Sequence, residues 1–180
     1  MTQRSFAGGF ATILAIVFLL HAHPAGANRP AATNQEAVLT AHEIGTKLFP
    51  EKVFFRGQLA PVQLRNTGGV HFADDFYALA ALCDNGGYST QIREKFQGYL
   101  LTEVSLAIGG QTLKPGAYGF GFLTGGQFVV MDLGANDLFK VSSARDADMK
   151  RPVPLQVVAG ERGGYRLYAG RDYVEWRRSQ

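Results

Sequence analysis

The sequence predicts a mainly β protein, an antiparallel β-sandwich or a partly closed barrel of about nine or ten strands with one N-terminal helix. Beyond residue 27 the chain carries five Gly-Gly pairs, and glycine provides the positive φ that tight hairpin turns require. The segments between these pairs are rich in β-branched and aromatic residues that alternate with period two. One segment, 33–50, has the apolar spacing of a helix instead.

The start of the chain has the three parts of a cleavable secretory signal. Arg4 precedes the uncharged apolar run 11–20, and the small residues of Ala25-Gly26-Ala27 precede a cleavage site before Asn28. A membrane anchor is the alternative, but the apolar stretch 6–20 has 15 residues, whereas a membrane-spanning helix needs about 20. We therefore expect cleavage, with no stable membrane insertion afterwards.

This leader sets the expected organisation and localisation. It predicts a signal peptide over 1–27, a helical segment over 28–50 and a β-domain over 51–180. The protein is expected to be exported, either to the periplasm or to the outside medium.

The helical segment is predicted from its start and stop signals. Thr33 and Glu36 have the spacing of a capping box, and Pro50 ends the pattern. Four apolar residues share one face of such a helix: Val38, Ala41, Ile44 and Leu48.

The strands are predicted from the runs between the turns. Gly68-Gly69 is expected to turn the chain between strands 62–65 and 70–73, and Asp74-Asp75 to form the next turn. Later strands are predicted over 117–123, 127–133, 138–143, 153–158, 165–169 and 172–177.

Two longer strands are predicted over 76–83 and 99–108. The run 76–83 is apolar on both faces, which suits a central strand, but its alanines and a possible cap at Asp74 leave helix as the alternative. The run 99–108 alternates clearly and is predicted to form one strand with an apolar face.

One hairpin has a distinctive pattern. After Ile108 a strand ends at glycine, Leu113 packs back, and Pro115-Gly116-Ala117-Tyr118 opens the next strand. This Gly-x-x-Leu-x-Pro-Gly-x-Tyr pattern resembles a hairpin of exported bacterial β-domains of uncharacterised function; the resemblance implies a β-domain and transfers no functional residues. A lipocalin is the better-known alternative, but its early Gly-x-Trp signature is missing because the only tryptophan is Trp176.

The balance of charge limits the classes of partner that the sequence predicts. Without the leader, 153 residues carry 17 basic and 15 acidic side chains, dispersed along the chain, so no nucleic-acid partner is expected.

Cys83 is the only cysteine, which excludes an internal disulfide. It lies in an apolar run with no His, Lys or Arg within eight residues, which indicates a buried, inert thiol; an intermolecular bridge or a nucleophile is the alternative.

Three groups of residues are candidate ligand-binding sites. His71 lies near Asp74 and Asp75 across a predicted turn, an arrangement that suits metal binding or base catalysis, although surface turns are often rich in Asp. Arg145 and Asp146 belong to a polar segment that forms either a recognition loop or an intraloop salt bridge.

The third group is aromatic. Tyr165, Tyr173 and Trp176 alternate with charged residues, so they form a stacking surface for sugar or an acidic ligand if they face outwards, or core if they face inwards. No catalytic residue, metal ligand or cofactor is assigned.

These observations rank two functions. No catalytic or nucleotide-binding motif stands out, so the expected function is non-catalytic binding of a ligand or an envelope protein by an exported β-domain. The alternative is a small secreted hydrolase or a metal-dependent enzyme that uses His71 and nearby acids.

Overall fold

The computed structural model describes residues 35–179, so the predicted leader and Thr33 lie outside the described residues. The described helices are α1 (Ala41–Leu48) and α2 (Thr90–Arg93), and a short turn covers Glu161–Gly163. The described strands in chain order are β1 (Ala37–Leu39), β2 (Lys52–Phe55), β3 (Gln58–His71), β4 (Tyr77–Cys83), β5 (Gly98–Thr102), β6 (Leu106–Ile108), β7 (Gln111–Leu113), β8 (Gly116–Leu123), β9 (Gln127–Met131), β10 (Asp137–Ser142), β11 (Ala144–Arg145), β12 (Gln156–Ala159), β13 (Tyr165–Ala169) and β14 (Asp172–Arg178).

The strands form two antiparallel sheets, which confirms the mainly β, antiparallel prediction. The large sheet has the order β1-β3-β4-β5-β8-β9-β10, with β2 also paired to β3, and the small sheet has the order β12-β13-β14-β6-β7, with β11 also paired to β14. The sheets are not closed into a barrel. The described strands outnumber the nine or ten predicted because β1, β2, β7 and β11 were not predicted; each has four residues or fewer, too few for a period-two pattern to show.

The sandwich core lies between the two sheets. Alternate residues of each strand point inwards, because successive side chains of a strand face opposite sides of the sheet. The large sheet contributes Leu100, Phe120 and Phe128 to this core, and the small sheet contributes Leu167 and Trp176.

A second core covers the other face of the large sheet. There Ile44 of α1, Phe55 of β2 and Phe96 pack onto the sheet, and the Phe55 and Phe96 rings stack with centroids 3.8 Å apart. Strand β4 is therefore buried on both faces, which confirms strand for the run 76–83. Its Cys83 is buried, and this burial raises the pKa of the thiol to about 12, as expected of an inert side chain.

The predicted turn at Gly68-Gly69 is wrong. Strand β3 runs straight through both glycines, and neither has a positive φ. A Cβ at Gly68 would lie 2.7 Å from the backbone nitrogen of Val157, and one at Gly69 would lie 2.6 Å from the carbonyl oxygen of Ala78. These glycines allow neighbouring backbones to approach closely, a role that the sequence does not distinguish from a turn.

Other glycine pairs behave as predicted. Gly109-Gly110 joins β6 to β7 and Gly125-Gly126 joins β8 to β9, each with positive φ at both residues. Gly163-Gly164 lies in the connection from β12 to β13. Gly86-Gly87 differs, because it lies in the connection from β4 to α2 rather than in a hairpin.

The predicted single strand 99–108 is two strands in different sheets. Strand β5 belongs to the large sheet and β6 to the small one, and the chain crosses between them at residues 103–105. The Thr102 hydroxyl, buried at this crossing, donates to the carbonyl oxygen of Val104 at 2.7 Å. The alternation persists across the break because Leu100, Val104 and Leu106 all enter the sandwich core.

The predicted helix from Thr33 to Pro50 is not confirmed. Residues 37–39 form β1, which pairs with β3, and α1 begins only after Thr40. The Glu43 carboxylate accepts hydrogen bonds from the Thr40 N–H at 2.7 Å and from its hydroxyl at 2.8 Å, and these bonds lower the pKa of Glu43. Thr40 and Glu43 repeat the Thr-x-x-Glu spacing of Thr33 and Glu36, so the sequence offered two equivalent start signals.

Candidate functional site

A groove of about 630 Å³ lies alongside β14 in the small sheet. Strands β11 and β6 both pair with the edge of β14 that lies opposite β13, at residues 172–173 and 176–178 respectively. Val174 and Glu175 fall between these two ladders. We call this cavity the β14 groove; it is lined by Ala107, Gly109-Gly110, 142–144, 160–162, Gly164-Tyr165 and 173–177.

Alternate side chains of β14 face the sandwich core and the outer side of the small sheet. Val174 and Trp176 are buried in the sandwich core, so Tyr173, Glu175 and Arg177 project from the outer face of the small sheet. The β14 groove therefore has one polar wall whose residues are set by strand parity.

A second wall is the turn that connects β12 to β13. The backbone N–H of Gly164 donates to the carbonyl oxygen of Glu161 at 3.1 Å. The two central residues, Arg162 and Gly163, have φ values of 54° and 71°. Positive φ at both central positions is the pattern of a type I′ turn, which normally takes Asn, Asp or Gly first.

The charges around the groove are unevenly paired. Arg166 lies 2.9 Å from the Glu175 carboxylate and 4.0 Å from that of Glu161, and Glu175 raises the pKa of Arg166. The single guanidinium of Arg166 is thus within 4.0 Å of both carboxylates. Within residues 35–179, no carboxylate lies within 4.0 Å of the guanidinium of Arg162 or Arg177.

The structure brings His71 to Asp75 but not to Asp74. The His71 Nε2 is 2.7 Å from the Asp75 Oδ1, and the imidazole stacks on the Tyr77 ring with centroids 4.4 Å apart. Both carboxylate oxygens of Asp74 accept hydrogen bonds from Arg178 at 2.7 Å, which lowers the pKa of Asp74. In the described part of the chain no three His, Cys, Asp or Glu side chains are grouped as ligands of one metal ion would be.

Arg145 and Asp146 connect their segment to the strands beside it. Arg145 donates to the Asp172 carboxylate at 2.8 Å, across the pairing of β11 with β14. The Asp146 carboxylate accepts the backbone N–H of Met149 at 3.0 Å and the hydroxyl of Tyr168 at 3.2 Å. The salt bridge of Arg145 thus runs to β14 and not to an acid of its own segment, so it differs from the intraloop salt bridge that the sequence suggested.

The predicted aromatic surface is divided between two faces. Trp176 is 7% exposed and lies in the sandwich core, where its ring centroid is 4.8 Å from that of Tyr165. Tyr173 alone of the three lies on the outer face, with the Arg166 guanidinium 4.8 Å from its ring centroid. Positions 173 and 176 differ by an odd number, so one strand places them on opposite faces.

Sequence reasoning missed Glu161 and Arg162 as groove residues. Their position depends on the pairing of β12 with β13, which brings the connecting turn to the outer face of β14. The local sequence carries no signal for it, because Arg162-Gly163 resembles Arg56-Gly57, a turn that does not line the groove.

A second cavity, of about 390 Å³, lies between α1 and the large sheet. Its lining includes Lys47, Leu79 and Glu103. The Glu103 carboxylate accepts the backbone N–H of Tyr77 at 2.8 Å, so this acid is already used to tie the start of β4 to the segment after β5.

Comparisons with family models, curated proteins and solved structures found no match. The helices within residues 35–179 include none long and apolar enough to span a membrane.

Proposed function

We propose that the protein is an exported, non-catalytic binding domain of the cell envelope, and that its small-molecule ligand occupies the β14 groove. The observation that carries this proposal is the groove itself. Its volume of about 630 Å³ falls within the range of roughly 300–1,000 Å³ typical of small-molecule sites.

The walls of the groove come from both sheets. Ser142 ends β10 of the large sheet, whereas Tyr173 belongs to β14 of the small sheet. Strands position side chains more rigidly than free loops do, so the strand-borne part of the lining is expected to be in place before a ligand arrives.

The lining chemistry supports binding rather than catalysis. Hydroxyl groups of Ser142, Ser143 and Tyr173 and several charged groups are available for hydrogen bonds to a polar ligand. The described lining includes no histidine or cysteine, and its two carboxylates, Glu161 and Glu175, both lie within 4.0 Å of Arg166. The export part of the proposal rests on the leader pattern of residues 1–27.

The test is to fill the groove. The protein is expressed from the full 180-residue reading frame, and binding of galactose, galacturonate, glucose 6-phosphate and glutamate is measured by saturation-transfer NMR. Ala107→Trp places a large ring in the groove. Thr112→Trp is the matched control, because Thr112 pairs with Ala107 across β6 and β7 but does not line the groove.

We expect at least one probe to bind the wild type and the Thr112→Trp variant and to lose binding to the Ala107→Trp variant. Equal binding to all three proteins would place the site elsewhere. Binding of no probe to any of them would count against a polar small-molecule site.

A further inference from the structure

The turn that forms one wall of the β14 groove carries an unfavourable residue. Arg162 has φ 54° and ψ 37°, a left-handed conformation that costs an L-residue roughly 1 kcal/mol or more. Asn at this position, followed by Gly163, would make the preferred Asn-Gly type I′ turn. The chain therefore places a long cation at the groove where a short amide would fold better.

Strain alone does not mark a binding residue here. Arg56 has φ 50° in the β2–β3 turn, also before a glycine, and it does not line the groove. What distinguishes Arg162 is its position in the wall of the cavity, together with Arg177 from β14. The two arginines come from different elements and line the same cavity.

The pairing of charges around the groove leaves Arg162 and Arg177 without an acidic partner in the described part of the chain. Glu161 and Glu175, the groove carboxylates, both lie within 4.0 Å of Arg166. Arg162 and Arg177 have no acidic partner within that distance in the described part of the chain. A ligand that brings its own negative charge would supply one.

We infer that the β14 groove binds an anionic small molecule, whose carboxylate or phosphate is held by the guanidinium groups of Arg162 and Arg177. This inference rests on the proposed function and specifies the ligand class. Guanidinium groups donate two parallel hydrogen bonds to either anion, so the chemistry is shared by acidic sugars and phosphorylated sugars. Ser142 and Ser143 also line this groove, and a serine hydroxyl is a further hydrogen-bond donor.

The test pairs charged ligands with neutral ones. Dissociation constants of galacturonate, galactose, glucose 6-phosphate and glucose are measured by ¹H–¹⁵N NMR titration of the full chain at low salt. We expect each acidic sugar to bind at least about tenfold more tightly than its neutral partner, because hydrogen bonds to charged groups are the stronger ones. Comparison of the two acidic sugars distinguishes a carboxylate ligand from a phosphate ligand.

The variant Arg162→Asn gives two opposite readouts. It removes the guanidinium and relieves the backbone strain, so affinity for the acidic sugars falls roughly tenfold or more while Tm rises by roughly 2–4 °C. Arg56→Asn is the matched control, since it relieves the same strain in a turn outside the groove. It should raise Tm by a similar amount and leave affinity unchanged.

The outcomes separate the two proposals. If neutral sugars bind the groove as tightly as acidic ones and Arg162→Asn does not weaken them, the anion inference is wrong and the groove remains a binding site. If acidic sugars shift resonances only outside the groove, or if no probe binds, the anion inference fails together with the proposed site.

Discussion

Replacing Gly68 by alanine tests the close approach of the two sheets. The new Cβ would lie 2.7 Å from the backbone nitrogen of Val157, about 0.7 Å short of the 3.4 Å at which ordinary contact begins. The obstructing atom is backbone, so no rotamer change relieves the clash, and β12 must move away from β3. Overpacking of this kind costs about 1–3 kcal/mol.

The assay is urea unfolding followed by Trp176 fluorescence, because this only tryptophan is buried in the core. We expect Gly68→Ala to lower the unfolding free energy by about 1–3 kcal/mol and Tm by roughly 2–12 °C. Gly87→Ala is the control, since its new Cβ would meet nothing nearer than 3.8 Å and its φ is not positive. That variant should be neutral or more stable by up to about 1 kcal/mol.

The reasoning is refuted if Gly68→Ala changes the unfolding free energy by less than about 0.5 kcal/mol, the range of ordinary surface substitutions. Equal losses in the two variants would also refute it. Either result would mean that β3 and β12 are not in close contact at this glycine.

Three further predictions concern single groups. Arg178 lowers the pKa of Asp74 below its ordinary 3.8. The stabilisation from their pairing is therefore present above pH 3.8 and is lost as pH falls through the lower pKa of the folded state. The difference in unfolding free energy between wild type and Asp74→Asn, measured by urea unfolding at several pH values, should shrink below about pH 3.8. Burial raises the pKa of Cys83 to about 12, so the thiol should resist a disulfide reagent at pH 8 in the folded protein and react fully in urea; rapid reaction without urea would contradict its burial. The mass of the protein recovered from its own cells should correspond to cleavage before Asn28, and retention of the leader would contradict the predicted signal peptide.

The sequence predicted the fold class because strand periodicity and paired glycines are local signals. It failed at Gly68-Gly69 because a glycine that permits close backbone approach and a glycine that forms a turn are identical in sequence. It also merged β5 with β6, since the side chains on both sides of the crossing enter the same core and preserve the alternation. Long-range contacts decide both cases.

The site was harder to predict than the fold. Tyr173 and Trp176 are both predicted residues that line the β14 groove, although Trp176 is buried, but Arg162 reaches the groove only through the pairing of β12 with β13 and of β13 with β14. His71 is a candidate because Asp74 and Asp75 follow it closely in sequence. In the structure the Asp74 carboxylate instead accepts hydrogen bonds from Arg178, a residue 104 positions away. Proximity along the chain was a poor guide to which charges meet.

One NMR map tests the central claim most directly, that ligands bind beside β14 and not at the His71 turn. Galacturonate is titrated into ¹⁵N-labelled wild-type protein, and the amide shifts are followed for the whole chain. The account predicts changes concentrated at residues 142–144, 160–164 and 173–177, with residues 71–75 unaffected. Changes centred on 71–75, abolished by His71→Ala, would contradict it.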